Sequence, residues 1–261
     1  MTRLLNQLRA KSLAALMLAA ATLPFGCATA PTYPPPAADK AQVVVKVTAT
    51  PKAGVQAPRT EGQYDKESVE KGRRFTRVNY SKMDCIAVVL IGESRWMGPE
   101  DGNEVEIASH GFTRDLSIGF MKQTVNGHGI PAACSFSFRN NRSTSLTLFG
   151  STPSNETNGT FEIRVPANGV ATCALVSAGL YDVYCDEDEN LYCQILATSS
   201  TYAQLCESGG EAFFEGLAPG AYEVEVYAPR LPVWRMKVNA VAGKRETLYA
   251  EVTVNKLPKA K

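Results

Sequence analysis

Short runs of β-branched or alternating residues recur along this chain of 261 residues, and turn-forming residues separate them. Residues 85–91 form a continuous apolar run, which is typical of a strand buried on both faces. Residues 74–80 and 221–227 alternate polar with apolar side chains, as half-buried strands do. Residues 166–169 and 216–220 are turn signals between such runs. Because no long helical period occurs beyond the N-terminus, the sequence predicts an all-β fold built from β-sandwiches.

Basic residues followed by an uncharged segment mark the N-terminus. Arg3, Arg9 and Lys11 precede residues 12–26, which carry no charge and are rich in leucine and alanine. A membrane-spanning helix needs about 20 apolar residues, so this segment is too short to span comfortably. We therefore predict a signal peptide over residues 1–26, and hence an exported protein.

Two cleavage sites fit this signal peptide. Residues 28–30 have the small-x-small pattern of an ordinary signal peptidase site, which would release a soluble protein. Residues 23–27 resemble a bacterial lipobox, which implies that Cys27 becomes the lipidated first residue. The chain has seven cysteines, and lipid on Cys27 would leave an even set of six for an oxidising compartment. We expect a lipid anchor in the bacterial cell envelope. Since Ala28 follows Cys27, the resemblance implies the outer membrane.

Composition divides the rest of the chain into four parts. Residues 27–63 are rich in proline and are expected to form a disordered tether, in which residues 42–47 are the one strand-like run. Residues 64–200 are predicted to form a larger β-sandwich and residues 201–256 a smaller one. Residues 257–261 are a basic tail.

The smaller unit carries a family resemblance. Residues 216–222 form a Gly-Leu-Ala-Pro-Gly-Ala-Tyr turn and strand, followed by Ala228-Pro229 and a late Ala242-Gly243. In these features residues 206–254 resemble the carboxypeptidase regulatory-like (transthyretin-like, or prealbumin) β-sandwich. That resemblance implies a structural or binding role, and it carries over no catalytic residue.

The larger unit resembles a cupredoxin in residues 135–141, 145–149 and 179–186. In copper-binding cupredoxins the last motif continues Cys-x-x-His-x-x-Met, and a further histidine precedes the earlier strand. Here Cys185 is present, but Asp188, Leu191 and Ser145 or a neighbour stand at the other three positions. A blue-copper site needs two imidazoles and a thiolate. We therefore expect the sandwich without a complete copper site and without a cofactor, Cys185 and Asp188 being the only metal candidates left.

The six cysteines beyond Cys27 are candidates for disulfides, and they allow 15 connectivities. A Cys85–Cys134 bridge would join two strands of the larger unit, and at least one bridge is expected within the set Cys185, Cys193 and Cys206. The full set of candidates is Cys85, Cys134, Cys173, Cys185, Cys193 and Cys206.

Other clusters favour ordinary structural explanations. The carboxylates of residues 186–189 could gather Ca²⁺, but their spacing is not that of an EF-hand loop and favours a solvated loop. His110, near Ser109 and Asp115, lacks a nucleophile-elbow motif, so no catalytic triad is expected. His128 falls in a Gly-containing turn. Four aromatic residues could form a sugar or peptide platform, although core packing is favoured. These are Trp96, Tyr202, Phe214 and Trp234.

The functional expectation follows from the kinds of activity that these features leave open. A net charge of +1 provides no field for nucleic acid. We expect a non-enzymatic envelope lipoprotein that contacts the membrane through its lipid and binds a protein or polysaccharide partner through sandwich surfaces. The alternatives are a copper-binding or electron-transfer protein with an unusual ligand set, and a carbohydrate-binding module.

Overall fold

Sixteen β-strands form the regular structure of the residues that the computed structural model describes, which are residues 33–50, 80, 83–92, 103–121, 133–152 and 159–254. In chain order they are β1 (Ala41–Ala49), β2 (Ile86–Ile91), β3 (Glu104–Ala108), β4 (Gly111–Phe112), β5 (Leu116–Phe120), β6 (Cys134–Asn140), β7 (Leu146–Ser151), β8 (Thr160–Val165), β9 (Val170–Leu175), β10 (Gly179–Cys185), β11 (Tyr192–Thr198), β12 (Ala203–Cys206), β13 (Glu211–Leu217), β14 (Gly220–Tyr227), β15 (Trp234–Ala240) and β16 (Arg245–Val252). Among these residues no helix has the length and apolarity needed to cross a membrane. Residues 1–32, with the predicted signal peptide and Cys27, lie outside the described ranges, as do His128, Trp96 and the tail 257–261.

Four sheets stack in two pairs. Sheet A has the strand order β13-β1-β16, and sheet B has the order β12-β2-β14-β15. Sheet C has the order β4-β3-β6-β9, and sheet D has the order β5-β11-β10-β7-β8. One apolar core lies between sheets A and B and a second lies between sheets C and D. The predicted all-β fold with two β-sandwiches is therefore confirmed.

The first sandwich, made of sheets A and B, depends on residues from both ends of the chain. Strand β1 is the central strand of sheet A, antiparallel to β13 and parallel to β16. Its Val43 and Val45 are completely buried in the core. Burying each such side chain contributes on the order of 1.5–3 kcal/mol. Residues 41–49 are thus structural, although the sequence placed them in a tether, because their pairing partners lie more than 160 residues away.

Strand β2 also belongs to the first sandwich. It lies between β12 and β14, and five of its six residues are buried. The prediction of a strand covered on both faces is right. The strand pairs, however, with the C-terminal strands rather than with the larger unit expected over residues 64–200. The sheets therefore group the strands differently from the predicted units, whose boundaries were expected after residues 63 and 200.

The second sandwich consists of β3 to β11 and is inserted between β2 and β12. Its core is rich in aromatic side chains, with Phe136 and Phe138 fully buried and their ring centroids 5.4 Å apart. On each strand buried residues alternate with outward ones, as in the pattern of β6. The alternation leaves the outward residues of sheet D available to other parts of the molecule or to solvent.

Part of that outward face packs against sheet B. A third apolar cluster joins Ala87 and Val89 of β2 to Leu116 and Ile118 of β5 and Leu196 of β11. Sheet A covers the other face of β2, where Val88 faces the core of the first sandwich. This double coverage explains why residues 85–91 are continuously apolar. The part of sheet D formed by β7, β8 and the end of β10 is not covered by this cluster.

Candidate functional site

The end of the second sandwich that carries Cys185 is where the sequence places the copper-ligand positions. Cys185 is the last residue of β10, lies opposite Leu148 of β7 and is buried. Its Sγ donates a hydrogen bond to Glu187 Oε2 at 3.3 Å. Burial raises the pKa of this thiol, and the hydrogen bond to Glu187 raises it further. In the metal-free protein the group is therefore a neutral thiol.

Asp188, at the position of a cupredoxin histidine, is held by an arginine. Arg142 Nη1 donates to Asp188 Oδ2 at 2.8 Å, and Arg142 Nε donates to the carbonyl of Ala108 at 2.8 Å. The hydrogen bond from Arg142 lowers the pKa of Asp188. The guanidinium thus ties the loop before β7 to the loop after β10 and to the end of β3. A cation at this carboxylate would have to displace Arg142.

Glu187 is hydrogen-bonded to the start of strand β7. Its carboxylate accepts hydrogen bonds from the Thr147 backbone nitrogen at 2.6 Å and from Thr147 Oγ1 at 2.8 Å. The backbone hydrogen bond is the main reason that the pKa of Glu187 falls to about 2. Two of the carboxylates considered for Ca²⁺ are therefore already engaged within the protein.

The other expected ligand positions do not converge on Cys185 as donors. Leu191 is buried in the apolar core, and Ser145 lies just before β7. His110 is exposed in the turn between β3 and β4. Within the described ranges, no group of three or more His, Cys, Asp or Glu side chains is arranged to hold a metal ion. The donors at this end of the sandwich do not fit a blue-copper site, which requires two imidazoles.

The six cysteines considered for disulfides are free thiols and lie in three different environments. Cys134 and Cys173 face the second core from neighbouring strands, because Cys134 pairs with Leu175 and Cys173 pairs with Phe136. Burial raises the pKa of Cys134 to about 11. Burial and the neighbouring Cys134 raise the pKa of Cys173 to about 12. These two thiols are diagonal neighbours in sheet C.

Three of the candidate disulfide pairings do not match the geometry. Cys85 packs on the outer face of sheet D with Leu116, whereas Cys134 approaches the inner face at Gly119, where an added Cβ would lie 2.9 Å from its sulfur. Sheet D therefore separates Cys85 from Cys134. Cys206 packs against the first core, whereas Cys185 and Cys193 belong to the second. A bridge from Cys206 to either of them would have to join two separate cores.

Three of the four aromatic residues considered for a ligand platform pack inside the first sandwich. Phe214 is buried, and Tyr202 meets it edge-on at 6.5 Å between ring centroids. Trp234 packs against the same core. These three residues are therefore part of the core. The fourth, Trp96, lies outside the described ranges.

A different set of aromatic residues lies on the outer face of sheet D. Phe149, Tyr184 and Tyr192 occupy directly paired positions on β7, β10 and β11, and we call them the aromatic row. Tyr184 is 50% exposed and Phe149 is 38% exposed. The rings of Tyr184 and Tyr192 lie 5.2 Å apart, tilted by 45°. Sequence reasoning missed the row because strand register alone brings these three residues together.

Arg230, in the turn between β14 and β15, reaches the aromatic row from the first sandwich. Its guanidinium carbon lies 5.7 Å from the centroid of the Tyr192 ring, a cation–π distance. Its backbone φ is 61°, in the left-handed region that residues other than glycine and asparagine rarely adopt. Both sandwiches therefore contribute side chains to this surface.

A cleft of about 270 Å³ opens between the two sandwiches, at the opposite end of β10 and β11 from the aromatic row. Ile91, Glu225 and Tyr227 line it from sheet B, and Leu196 and Thr198 line it from sheet D. Leu196 and Tyr192 lie on the same face of β11, four residues apart. The cleft and the aromatic row thus occupy one face of sheet D.

Fold and site together define an all-β protein whose two sandwiches both contribute side chains to the outer face of sheet D. Solved structures of amicyanin are similar to it at low identity. A Cu(I) amicyanin mutant is 9% identical, with a TM-score of 0.28 over 36% of this chain and 80% of that chain. Amicyanin from Paracoccus versutus is 12% identical, with a TM-score of 0.29 over 39% of this chain and 86% of that chain. Scores this low establish neither a shared fold nor a shared ligand. No family model matches the chain, and no curated protein matches it significantly.

Proposed function

We propose that this chain is a non-enzymatic lipoprotein of the bacterial cell envelope that binds another envelope component through the outer face of sheet D. The observation that carries the proposal is the aromatic row, whose Tyr184 side chain is half exposed on a strand whose other residues are buried or partly buried. Exposed aromatic residues grouped on one face are typical of binding surfaces. The cleft between the sandwiches lies farther along the same face of sheet D.

The lipid anchor in this proposal rests on the sequence of residues 1–27. With Cys27 lipidated, an even set of six cysteines remains for an oxidising compartment. Several acyl chains would hold the protein firmly, since each buried CH₂ contributes about 0.8 kcal/mol. The outer membrane is the proposed location because Ala28 follows Cys27. The sandwiches then face a partner that is itself fixed in the envelope.

Affinity isolation from envelopes tests the proposal. The tagged full chain, its Tyr184→Ala variant and its Tyr249→Ala variant are purified from detergent-treated membranes and compared by mass spectrometry. Tyr249 is the matched control because it is an exposed tyrosine on β16, in sheet A. We expect one envelope component to copurify with the wild type and the Tyr249 variant but not with the Tyr184 variant. Equal recovery with all three proteins would refute the proposed face. Lipid on the Cys27 peptide is checked in the same spectra.

A copper-binding or electron-transfer role is the second candidate. The observation in its favour is the Cys185 thiol, which lies beside the carboxylate of Glu187. Metal analysis and an absorption spectrum of the purified protein separate the two candidates. Stoichiometric copper with a thiolate charge-transfer band that Cys185→Ser abolishes would support the copper role. Our first proposal predicts neither signal.

A further inference from the structure

The aromatic row offers ring faces at regular intervals. Its members lie on three successive strands, which are separated by about 4.8 Å in a β-sheet. The row therefore runs across the strands, from Phe149 through Tyr184 to Tyr192. The apolar faces of aromatic rings suit the C–H faces of pyranose sugars, and a sugar chain presents such faces repeatedly. A row of rings on successive strands matches an extended sugar chain better than a single compact ligand.

Polar groups beside the row are placed to bind hydroxyl groups. Asp182 Oδ1 accepts hydrogen bonds from the Tyr192 hydroxyl at 2.6 Å and from Gln194 Nε2 at 2.8 Å. Gln194 is only 7% exposed, and its Oε1 is buried without a hydrogen-bond partner among the described residues. A buried acceptor without a donor is unfavourable, so such atoms in folded proteins usually receive a partner. A ligand hydroxyl entering beside Tyr192 would be such a donor.

Charged side chains of both signs surround the row. Glu162 lies opposite Phe149, and the exposed Arg164 is on the same face of β8, two residues further along. Asp182 and Arg230 flank the other end of the row. These carboxylates and guanidinium groups give the surface both signs of charge, so it complements neither a strongly anionic nor a strongly cationic partner. They do provide donors and acceptors on both sides of the rings, which complements a neutral, polyhydroxylated ligand.

We propose that the aromatic row, with Asp182, Gln194 and Arg230, binds an extended chain of a neutral polysaccharide. This inference rests on the proposed function and specifies the chemistry of its partner. The rings of Phe149 and Tyr184 stack on successive sugar residues, and Asp182 and Arg230 contact their hydroxyl groups. Gln194 Oε1 receives a hydroxyl donor, and the left-handed backbone of Arg230 holds its guanidinium against Tyr192.

Calorimetric titration of the purified full chain with β-1,4-linked hexasaccharides of glucose, mannose and N-acetylglucosamine tests the inference. We expect at least one of these sugars to bind, and Tyr184→Ala to raise its Kd by about fivefold or more, as loss of one stacking contact requires. The control variant Tyr249→Ala should leave the Kd unchanged. Asp182→Asn should also weaken binding while leaving the rings in place. Thermal unfolding of each variant verifies that it is folded.

Two results would overturn the inference. One is no binding of any of the three hexasaccharides, and the other is equal binding by the Tyr184→Ala protein. If Tyr184→Ala abolishes isolation of an envelope protein while the sugars do not bind, the outer face of sheet D still binds a partner. That partner is then a polypeptide, so the proposed function stands and the polysaccharide is excluded.

Discussion

Arg142 donates a hydrogen bond from Nη1 to Asp188 Oδ2 at 2.8 Å and so joins the loops at both sides of the Cys185 end of the second sandwich. Both side chains are less than one third exposed, at 16% and 29%. The backbone nitrogen of Arg142 also donates to Asn140 Oδ1 at 2.9 Å, which fixes the start of the loop. An ion pair therefore occupies the place where the sequence comparison put a metal ligand.

Replacing Arg142 should destabilise the protein measurably. Arg142→Ala removes the hydrogen bonds to Asp188 and to the Ala108 carbonyl and leaves both acceptors partly buried. We expect a loss of about 2 kcal/mol in the free energy of unfolding, measured by urea denaturation. The exposed Arg114 provides the matched control, and Arg114→Ala should change stability by less than about 0.5 kcal/mol. Equal stability of both variants would contradict a structural role for this ion pair.

Glu187 should contribute stability that acid removes. Its pKa is lowered from 4.5 to about 2 by the Thr147 backbone hydrogen bond. Because the folded-state pKa lies below the unfolded one, the contribution is complete above pH 4.5 and disappears as the pH falls towards 2. The side chain is exposed, so the effect should stay below about 1 kcal/mol.

Urea denaturation at several pH values measures the contribution of Glu187. The variant Glu187→Gln should lose stability at neutral pH and should show a weaker decline in acid than the wild type. Glu189→Gln, a change in the same loop, should behave like the wild type. A wild-type acid profile for Glu187→Gln would rule out the proposed linkage.

Disulfide mapping should find Cys134 joined to Cys173 if the protein is exported. The two thiols lie on neighbouring strands and face the same core. Oxidation by a disulfide-bearing oxidant would form the S–S bond, release two protons and transfer two electrons to that oxidant. A bridge closing a loop of this length contributes about 4 kcal/mol in the chain-entropy account. Mass spectrometry of peptides prepared without reductant should show this pair. A Cys85–Cys134 peptide would contradict the packing of sheet D.

Residues 41–49 should be needed for folding of the C-terminal strands. Val45→Asn places an amide without a partner in the first core and removes apolar packing, at a cost of about 4 kcal/mol. Thr48→Asn changes an exposed position of the same strand and should cost little. Thermal unfolding and limited proteolysis of both variants measure the difference. If Val45→Asn melted like the wild type, β1 would not be part of the core.

Local sequence patterns predicted the positions of the strands better than they predicted which strands pair with one another. The alternation of residues 221–227 correctly placed Tyr222, Val224 and Val226 on the buried face. The turn before them is also as expected, and the Tyr222 hydroxyl donates to the Ala218 carbonyl at 2.9 Å. In contrast, the parallel pairing of β1 with β16 joins residues about 200 positions apart, and no local pattern encodes such a partner.

The aromatic row could not be predicted from the sequence for the same reason. Tyr184 and Phe149 each occupy one outward position on a strand, which alone indicates nothing more than exposure. Only the register of three strands aligns them with Tyr192. Three of the aromatic residues considered from the sequence, Tyr202, Phe214 and Trp234, are core residues, which is the explanation that the sequence analysis favoured. That no histidine stands at position 145, 188 or 191, however, was readable from the sequence, because it depends on residue identity rather than on pairing.

Site-specific photocrosslinking in intact cells tests the central claim most directly. A photoreactive phenylalanine analogue is introduced at Tyr184 or, as the control, at Tyr249, which is 72% exposed on another sheet. The account predicts a discrete crosslinked species from position 184 and none of the same mass from position 249. Crosslinks from position 249 alone, or the same product from both positions, would contradict the claim that the outer face of sheet D is the binding surface.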